Sequence, residues 1–289
     1  MVLTNHFLNI PAIYRLGTHW IGYVPTFLSY TISQGIADIS YVLYKSAVKN
    51  VKQNLKLIFP NLAEKEISRI TKRLFRNYSK YLVNYGRFTN LDKKNVLSKI
   101  TFFDGRENLD STLKMNKGLI LLTAHLGNWE LGGIFFGSYG VRTNVVTIQD
   151  RDSKIDNARR WYREKHNVST ITIGNSPFST LEMVKALKNG EIVAMLIDRY
   201  NSSLENSTVD FFHKPVMFPR GPFILSRLTG APIIVAFVVK EGKGYRGIVN
   251  NPINVTSEKE EEEALKTVVK ILESYIIMYP DQWYNFTPI

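Results

Sequence analysis

The chain of 289 residues contains no cysteine. This absence excludes a disulfide, a thiol nucleophile and a thiolate metal site, and it suits a reducing compartment. The N-terminus also lacks the basic start, apolar core and small-residue cleavage site of a signal peptide. We therefore expect a cytoplasmic location.

Long uninterrupted apolar runs are missing as well. Residues 20–44 come closest, but Pro25, Gln34 and Asp38 interrupt them, so they fall short of the roughly 18 apolar residues of a membrane span. Apolar residues recur there at steps of three or four, which predicts a helix with one apolar stripe. The stripe consists of Val24, Leu28, Ile32, Ile36, Ile39 and Leu43. Two interpretations are open: a helix that lies in a membrane interface, and an ordinary amphipathic helix packed on the domain.

Acidic residues are scarce in the first third of the chain. Residues 1–100 hold 15 Lys and Arg against 4 Asp and Glu, a net charge of +11, whereas residues 101–289 hold 22 against 21, a net of +1. From Lys45 to Arg87 the charge is almost all positive. In the later half of this stretch, a second helix is predicted to place its basic residues on one face. These residues are Arg69, Lys72, Arg73, Arg76 and Lys80.

Such a basic face is either solvated or bound to an anionic membrane, where each basic residue contributes about 1 kcal/mol. Nucleic acid ranks below a membrane as a partner. No nucleic-acid fold signature is present, and the apolar stripe does not suit the polar surface of a nucleic acid. We predict a helical, membrane-associating region at 1–100 and an α/β domain at 101–289. The expected location is the cytoplasmic face of the inner membrane, with peripheral or N-terminal attachment.

From Gly118 onward, apolar strand candidates alternate with helix candidates. The strands are predicted at 118–124, 144–149, 191–197 and 232–239, and the helices near 128–139, 153–166, 178–189 and 220–229. This alternation is typical of right-handed crossover units, and it predicts a mainly parallel sheet flanked by helices. A short antiparallel pair is predicted at 237–240 and 245–249, at an edge of the sheet, and the acidic run Glu258–Glu263 is predicted to open the last helix.

The sequence lacks the Gly-x-Ser-x-Gly elbow, the phosphate-binding loop, the dinucleotide fingerprint and paired metal-binding histidines. A histidine site without a metal remains. The buried run Leu119–Leu122 leads to His125, at the end of a strand where open α/β sheets bind ligands. Glu130 lies five residues later and is a candidate to orient the ring, and Asp198 follows the run Ile192–Ile197 and emerges at the same edge if that strand is parallel. Either acid can also be structural.

The segment Thr123–Gly133 resembles the histidine, four residues, acid motif of the late acyltransferases of lipid A biosynthesis, the lauroyl and myristoyl transferases and their relatives in the lysophospholipid acyltransferase superfamily. The resemblance covers most of the chain. Further matches are Leu57-Ile-Phe-Pro60, Gly190–Asp198, Val209-Asp-Phe-Phe212, Pro219-Arg-Gly-Pro222, Thr229–Ile233 and Pro280-Asp-Gln-Trp283. The resemblance implies a glycerolphosphate-acyltransferase-like fold.

The resemblance also implies a reaction: His125 acts as general base, and a hydroxyl of a lipid acceptor attacks the thioester of acyl carrier protein or coenzyme A without a covalent acyl-enzyme. Glu130 is the first choice for the acid that orients His125, and Asp198 is the alternative partner or a substrate contact. No metal and no further cofactor are expected. Candidate substrate-binding residues are Asn128, Gly221 and four arginines whose guanidinium groups suit phosphate oxygens, Arg151, Arg163, Arg199 and Arg220.

A lipid A precursor is the first choice of acceptor. Another glycolipid or a phospholipid is the alternative, and a non-catalytic membrane-binding relative is the alternative of a different class. Two departures from the family leave the acceptor open. Arg220 stands where the wider superfamily often has an acid, and His213 stands where the family usually has glycine.

Overall fold

The computed structural model describes residues 24–88, 91–148, 160–161, 163–174, 178–199 and 205–289. Its helices are α1 (Thr26–Leu43), α2 (Lys45–Ile58), α3 (Glu64–Phe88), α4 (Lys93–Leu97), α5 (Arg106–Lys114), α6 (Trp129–Ser138), α7 (Phe178–Lys188), α8 (Gly221–Thr229) and α9 (Glu258–Met278). Its strands are β1 (Ile100–Asp104), β2 (Leu119–Thr123), β3 (Thr143–Ile148), β4 (Val168–Ile173), β5 (Ile192–Leu196), β6 (Asn206–Phe211), β7 (Lys214–Pro219), β8 (Ile233–Glu241) and β9 (Gly244–Val249).

Seven strands form the main sheet, in the order β1-β9-β8-β2-β5-β3-β4. The pairs from β8 through β4 are parallel, and β9 is antiparallel to β8 but parallel to β1. The predicted α/β class with a mainly parallel sheet is therefore confirmed. β2 lies near the centre, and Leu119–Leu122 are buried because helices cover both faces of the sheet there.

The predicted strands correspond to β2, β3, β5 and β8, and the predicted antiparallel pair corresponds to β8 and β9. The expectation that this pair lies at an edge is wrong, because β1 pairs with the outer side of β9. The last helix opens on the acidic run as predicted, and the Ser257 hydroxyl accepts the Glu260 N–H. The helix predicted at 153–166 lies mostly outside the described residues.

β6 and β7 form a separate two-stranded hairpin. Phe212 and His213 make its turn with φ angles of +50° and +62°. Because left-handed φ favours glycine, the backbone explains why the family usually has glycine where His213 stands. The departure from the family at His213 therefore concerns the conformation of this hairpin turn.

α2 and α3 share a buried apolar cluster with the sheet and with α9, so the N-terminal helices belong to the same core as the α/β region. Val51 and Leu55 of α2 and Leu74 of α3 are buried members of this cluster. The chain segment after α9 also contacts α2, where the Asn54 side chain donates to the Thr287 carbonyl at 2.8 Å. The division of the chain at residue 100 stays a prediction about sequence organisation.

α1 packs along α3 with its small residues inward. Ser29, Ser33 and Ala37, spaced four apart, are buried, and small side chains allow the close approach of the two helices. The apolar stripe points outward: Ile32 is 53% exposed and Ile39 is 62% exposed. A helix packed on the domain through its apolar stripe is therefore not what the structure has. Within the described ranges, no helix combines the length and the apolar character that crossing a bilayer requires.

The basic face predicted on the second helix is not uncompensated. Arg76 of α3 binds the Asp38 carboxylate of α1 through two hydrogen bonds of 2.8 and 2.5 Å, and Lys72 lies 3.7 Å from the same carboxylate. Arg73 pairs with Asp281 at 3.1 Å, and Arg69 pairs with Glu66 at 3.0 Å. Arg73 and Arg76 therefore hold elements together, and the sequence could not show this because their acids lie on other elements.

Candidate active site

The register of the parallel sheet brings two predicted site residues together. β2 pairs with β5 so that Thr123 lies opposite Leu196. His125 and Asp198 each follow two residues later, at the carboxyl edge of the sheet. Because neighbouring parallel strands in register direct their side chains alike, the two side chains meet.

His125 and Asp198 form a hydrogen-bonded pair. Nδ1 of His125 lies 2.8 Å from Oδ1 of Asp198, and the His125 backbone N–H donates to Oδ2 at 3.1 Å. The indole N–H of Trp283 also donates to Oδ2, at 3.0 Å. Both side chains are largely enclosed, with exposures of 16% for His125 and 1% for Asp198.

The Asp198 carboxylate is ionised. Burial opposes ionisation, but the charge and hydrogen bond of His125, the charge of Arg199 and the hydrogen bond of Trp283 together lower the pKa of Asp198 to about 2. An ionised carboxylate only accepts hydrogen bonds, so Nδ1 of His125 carries a proton toward it. With that proton on Nδ1, the lone pair of an uncharged ring lies on Nε2, the arrangement that a general base requires.

A tight turn after β2 holds the histidine in place. Gly127 has φ +66°, and a Cβ at this position would lie 2.1 Å from the Val238 carbonyl oxygen, so only glycine fits. The Gly127 N–H donates to the Gln282 carbonyl at 2.9 Å, and the Asn128 N–H donates to the Val238 carbonyl at 2.7 Å. The turn is therefore bonded to β8 and to the segment around residue 282.

Glu130 lies in the first turn of α6 and pairs with a different residue. Its carboxylate accepts hydrogen bonds from Arg163 at 2.7 and 3.3 Å, and both side chains are mostly buried. Our first choice of Glu130 as the acid beside His125 is therefore corrected: the structure places Asp198 there. The helix that starts at Trp129 carries Glu130 away from the ring, toward Arg163 just before β4.

A cavity of about 60 Å³ lies beside the Glu130–Arg163 pair, between α6 and the strands β2, β3 and β5. Gly132 and Gly133 leave room on the helix side, and Leu121 and Val145 contribute to its apolar wall on the sheet side. Its walls are mostly apolar, so it suits a hydrocarbon better than a polar group.

Asn128 has a structural position. It caps α6 by accepting the Leu131 N–H at 3.0 Å, and its amide donates to the Tyr245 hydroxyl at 3.4 Å. Asn84 of α3 donates to the same hydroxyl at 2.7 Å and accepts from Tyr30 of α1 at 2.6 Å. This polar chain connects α1 with the turn of His125, and it gives Asn128 partners within the protein.

The remaining arginines are separated by the structure. Arg199 stays exposed beside Asp198, and its guanidinium donates to the Tyr284 carbonyl at 3.2 Å. Arg220 binds Glu205 at 3.0 Å and Glu261 at 2.8 Å, so it joins the start of α8, where Gly221 lies, to α9. These contacts give no support to substrate binding by Arg220 and Gly221. Arg151 lies outside the described residues.

Aromatic rings enclose one side of His125. The Trp129 ring packs edge-on against His125 at 5.0 Å between centroids, and Tyr81 of α3 stacks on Trp129 at 4.4 Å. Tyr284 lies 5.8 Å from Tyr81 and 6.1 Å from Trp129. α3 therefore contributes to the wall of the site through Tyr81.

Sequence reasoning did not assign Trp283 or Gln282 to the site. Both stand in Pro280-Asp-Gln-Trp283, which carried part of the family resemblance without a role. A tryptophan shortly after the last amphipathic helix was the available signal, but its bond to Asp198 depends on tertiary structure. In the described part of the chain, no three His, Asp or Glu side chains are grouped to hold a metal ion. The expectation that no cofactor is needed stays a prediction.

Fold and site define an α/β protein with a histidine–carboxylate pair at the carboxyl edge of a mainly parallel sheet. The chain belongs to the bacterial lipid A biosynthesis acyltransferase family, whose sequence profile matches residues 8–288. The predicted resemblance is thereby confirmed, and the protein is an acyltransferase.

Known relatives differ in the acceptor that their names specify. The chain is 26% identical to the lipid A biosynthesis lauroyltransferase of Escherichia coli K12 over 280 residues, which cover 96% of this chain and 84% of that protein. It is 25% identical to the lipid A biosynthesis palmitoleoyltransferase of the same organism, over 80% of this chain and 74% of that protein. It is 23% identical to the phosphatidylinositol mannoside acyltransferase of Mycobacterium tuberculosis H37Rv, over 73% of this chain and 67% of that protein.

Proposed function

We propose that this acyltransferase moves a fatty acyl group from the thioester of acyl carrier protein or coenzyme A to a hydroxyl of a lipid A precursor, with His125 as general base. The observation that carries the proposal is the His125–Asp198 pair. The pair leaves Nε2 of His125 as the basic nitrogen, at the sheet edge where ligands bind in this class of fold.

In the proposed reaction, the acceptor hydroxyl gives its proton to Nε2 while its oxygen bonds to the thioester carbonyl carbon. The carbonyl electrons move to the carbonyl oxygen and form a tetrahedral oxyanion. When the carbonyl re-forms, the carbon–sulfur bond breaks, and the leaving thiolate takes the proton from Nε2. Asp198 stabilises the protonated ring throughout, because the carboxylate is ionised and buried beside it.

The cavity between α6 and the sheet is the proposed binding place for the part of the acyl chain next to the thioester. It borders Trp129, which also packs against His125, so a chain seated there has its first carbons near the base. Arg199, exposed beside Asp198, is the proposed contact for a phosphate of the acceptor or donor. Arg151 is retained as a second phosphate contact from its position in the sequence.

A second candidate acceptor is a mannosylated phosphatidylinositol or another phospholipid. The similarity to the mycobacterial phosphatidylinositol mannoside acyltransferase favours it. The site chemistry is the same for both acceptors, because each presents a hydroxyl to the base.

The proposed place of action is the cytoplasmic face of the inner membrane. The exposed apolar stripe of α1 supports it, since side chains such as Ile36 and Leu43 lie outside the protein core and would leave water in a lipid interface. Lys45 and Lys49 of α2 follow the stripe directly and line an open groove, where they suit anionic headgroups.

The base is tested with His125→Ala in a purified acyl-transfer assay. We expect turnover to fall by a factor of about 10² or more while the fold is retained, because the base is removed. The unfolding temperature should fall modestly, because the buried Asp198 carboxylate also loses its hydrogen bond from the ring. His166→Ala is the matched control, since this histidine is buried and lies just before β4. Turnover of His125→Ala near that of wild type would exclude His125 as the base.

The substrates are tested in the same assay with acyl carrier protein and coenzyme A thioesters as donors. A lipid A precursor, a phosphatidylinositol mannoside and a lysophospholipid serve as acceptors, and the products are identified by lipid mass spectrometry. We expect acylation of the lipid A precursor. Acylation of the mannoside alone would replace the first acceptor with the second.

A further inference from the structure

Trp283 is bonded directly to the candidate active site through its indole N–H. Its indole N–H donates at 3.0 Å to Oδ2 of Asp198, the acid that holds His125. The ring itself is buried and packs edge-on against Phe211 at 6.0 Å between centroids. A buried indole N–H requires an acceptor, and here that acceptor is the carboxylate of the active site.

The Asp198 carboxylate needs this donor to stay in place. Oδ1 accepts from the imidazole, and Oδ2 accepts from the His125 backbone N–H and from Trp283. The terminal torsion of an aspartate is broad and roughly two-fold, so its orientation depends on the hydrogen bonds at both oxygens. Without the indole, only one backbone N–H at 3.1 Å would hold Oδ2.

The position of Trp283 is set by the same residues that form the turn of His125. On one side, the Gln282 carbonyl accepts the Gly127 N–H at 2.9 Å, and on the other, the Tyr284 N–H donates to the His125 carbonyl at 2.8 Å. The Gln282 side chain accepts the Lys240 N–H at 2.8 Å and donates to the Lys240 carbonyl at 3.0 Å, which ties the segment to β8. Trp283 therefore cannot shift without moving the turn.

We propose that Trp283 is a positioning residue of the active site, whose indole N–H fixes the Asp198 carboxylate in the orientation in which it accepts the Nδ1 proton of His125. The base and its supports then consist of three side chains, which follow β2, β5 and α9 along the chain. This inference rests on the proposed role of His125 as general base.

The test is Trp283→Phe, which keeps an aromatic ring and removes the N–H. We expect kcat to fall about tenfold, with KM within about twofold of wild type, because a hydrogen bond to a charged group is lost at a residue that does not touch substrate. The acid limb of the pH–rate profile should move to lower pH. The reason is that a carboxylate no longer held in this orientation accepts the Nδ1 proton less well and stabilises the protonated base less.

Phe211→Leu is the control, since it disturbs the packing of Trp283 and leaves the N–H. It should lower the unfolding temperature without moving the acid limb. If Trp283→Phe folds poorly, site-specific benzothienylalanine replaces it, because sulfur there takes the place of the N–H in a ring of nearly the same shape.

A variant without the N–H that keeps the wild-type kcat and acid limb overturns the inference, and so does a loss of kcat with an unmoved limb that Phe211→Leu reproduces. Wild-type protein is assayed beside each variant. Failure of wild type to transfer an acyl group counts against the proposed function instead, so the two failures are distinguishable.

Discussion

Asp198 and Glu130, the two acids near His125, have different neighbours, so we expect their substitutions to have different effects. Asp198 contacts the imidazole, whereas Glu130 contacts Arg163. Asp198→Asn should lower kcat by a factor of about 10² or more and move the acid limb of the pH–rate profile to lower pH, because the negative charge beside the base is lost. The measurement is the pH–rate profile of Asp198→Asn, compared with that of Glu130→Gln.

Glu130→Gln should leave the acid limb where it is. Its effect should come with a loss of about 1–3 kcal/mol in the free energy of unfolding, because the buried Arg163 guanidinium loses its charged partner. If the acid limb moves in Glu130→Gln and does not move in Asp198→Asn, then Glu130 is the acid that orients His125.

Asp198 also predicts how stability depends on pH. Its pKa is about 2 in the folded protein against an ordinary value of 3.8, so the unfolded chain binds the proton more tightly. The resulting stabilisation, worth roughly 2 kcal/mol, is complete above pH about 4 and is lost as the pH falls toward 2. Urea unfolding of wild type and Asp198→Asn between pH 2 and pH 6 measures it. The difference in stability between the two should shrink on acidification, and a constant difference would contradict this account.

Among the elements, α1 is the one whose orientation the sequence left undecided. The spacing of its apolar residues predicted a single stripe, and the stripe exists. The pattern could not show which face packs on the protein, because Ser29, Ser33 and Ala37 also recur every four residues. Contacts with α3, such as the Asp38–Arg76 pair, decide that the small face turns inward.

This orientation predicts a variant that weakens membrane binding without unfolding the protein. Ile32→Gln combined with Ile39→Gln should reduce binding to liposomes by at least about tenfold, because each side chain loses apolar area that would leave water. Leu181→Gln combined with Leu228→Gln is the control, since these helix residues of α7 and α8 are 62% and 63% exposed. Liposome flotation of the two pairs is compared. Equal binding would mean that α1 does not lie in the interface.

The strands show where the reach of sequence reasoning ends. β2, β5 and β8 are continuous apolar runs, so the sequence predicts them. Asp198 became a candidate because it directly follows one of these runs. β4 (Val168–Ile173) alternates with Ser and Thr, and β1 is short and mostly exposed, so neither has the signature of a buried strand. The bond from Trp283 to Asp198 joins residues 85 positions apart, and no local pattern encodes it.

At the scale of the whole molecule, the net charge of +12 is distributed differently from what the composition indicates. Arg69, Arg73 and Arg76 of α3 are paired with acids. Among the described residues, no ion pair is found for Lys45 and Lys49 of α2. Lys52 and Lys56 of the same helix approach Glu64 at 3.2 and 3.9 Å. α2 therefore presents basic surface that is open to a partner, and this surface lies next to the apolar stripe.

Lys45→Glu combined with Lys49→Glu should weaken binding to anionic liposomes by at least tenfold, at about 1 kcal/mol per basic residue, and should leave binding to neutral liposomes unchanged. Raising the salt concentration should narrow the difference by screening. Lys114→Glu combined with Lys117→Glu changes the net charge equally on exposed residues around the end of α5. If this control weakens binding as much, total charge matters and the position on α2 does not.

The segment that carries Trp283 has a consequence for the time course of folding. Asp198 is 73 residues from His125 and 85 residues from Trp283 along the chain. Parallel pairing and long loop closures form slowly, so β2 and β5 must find their register, and the segment after α9 must dock, before the three side chains meet. A refolding chain therefore recovers its helices well before it recovers the hydrogen bonds around His125, and full turnover returns only with the last of these long-range contacts.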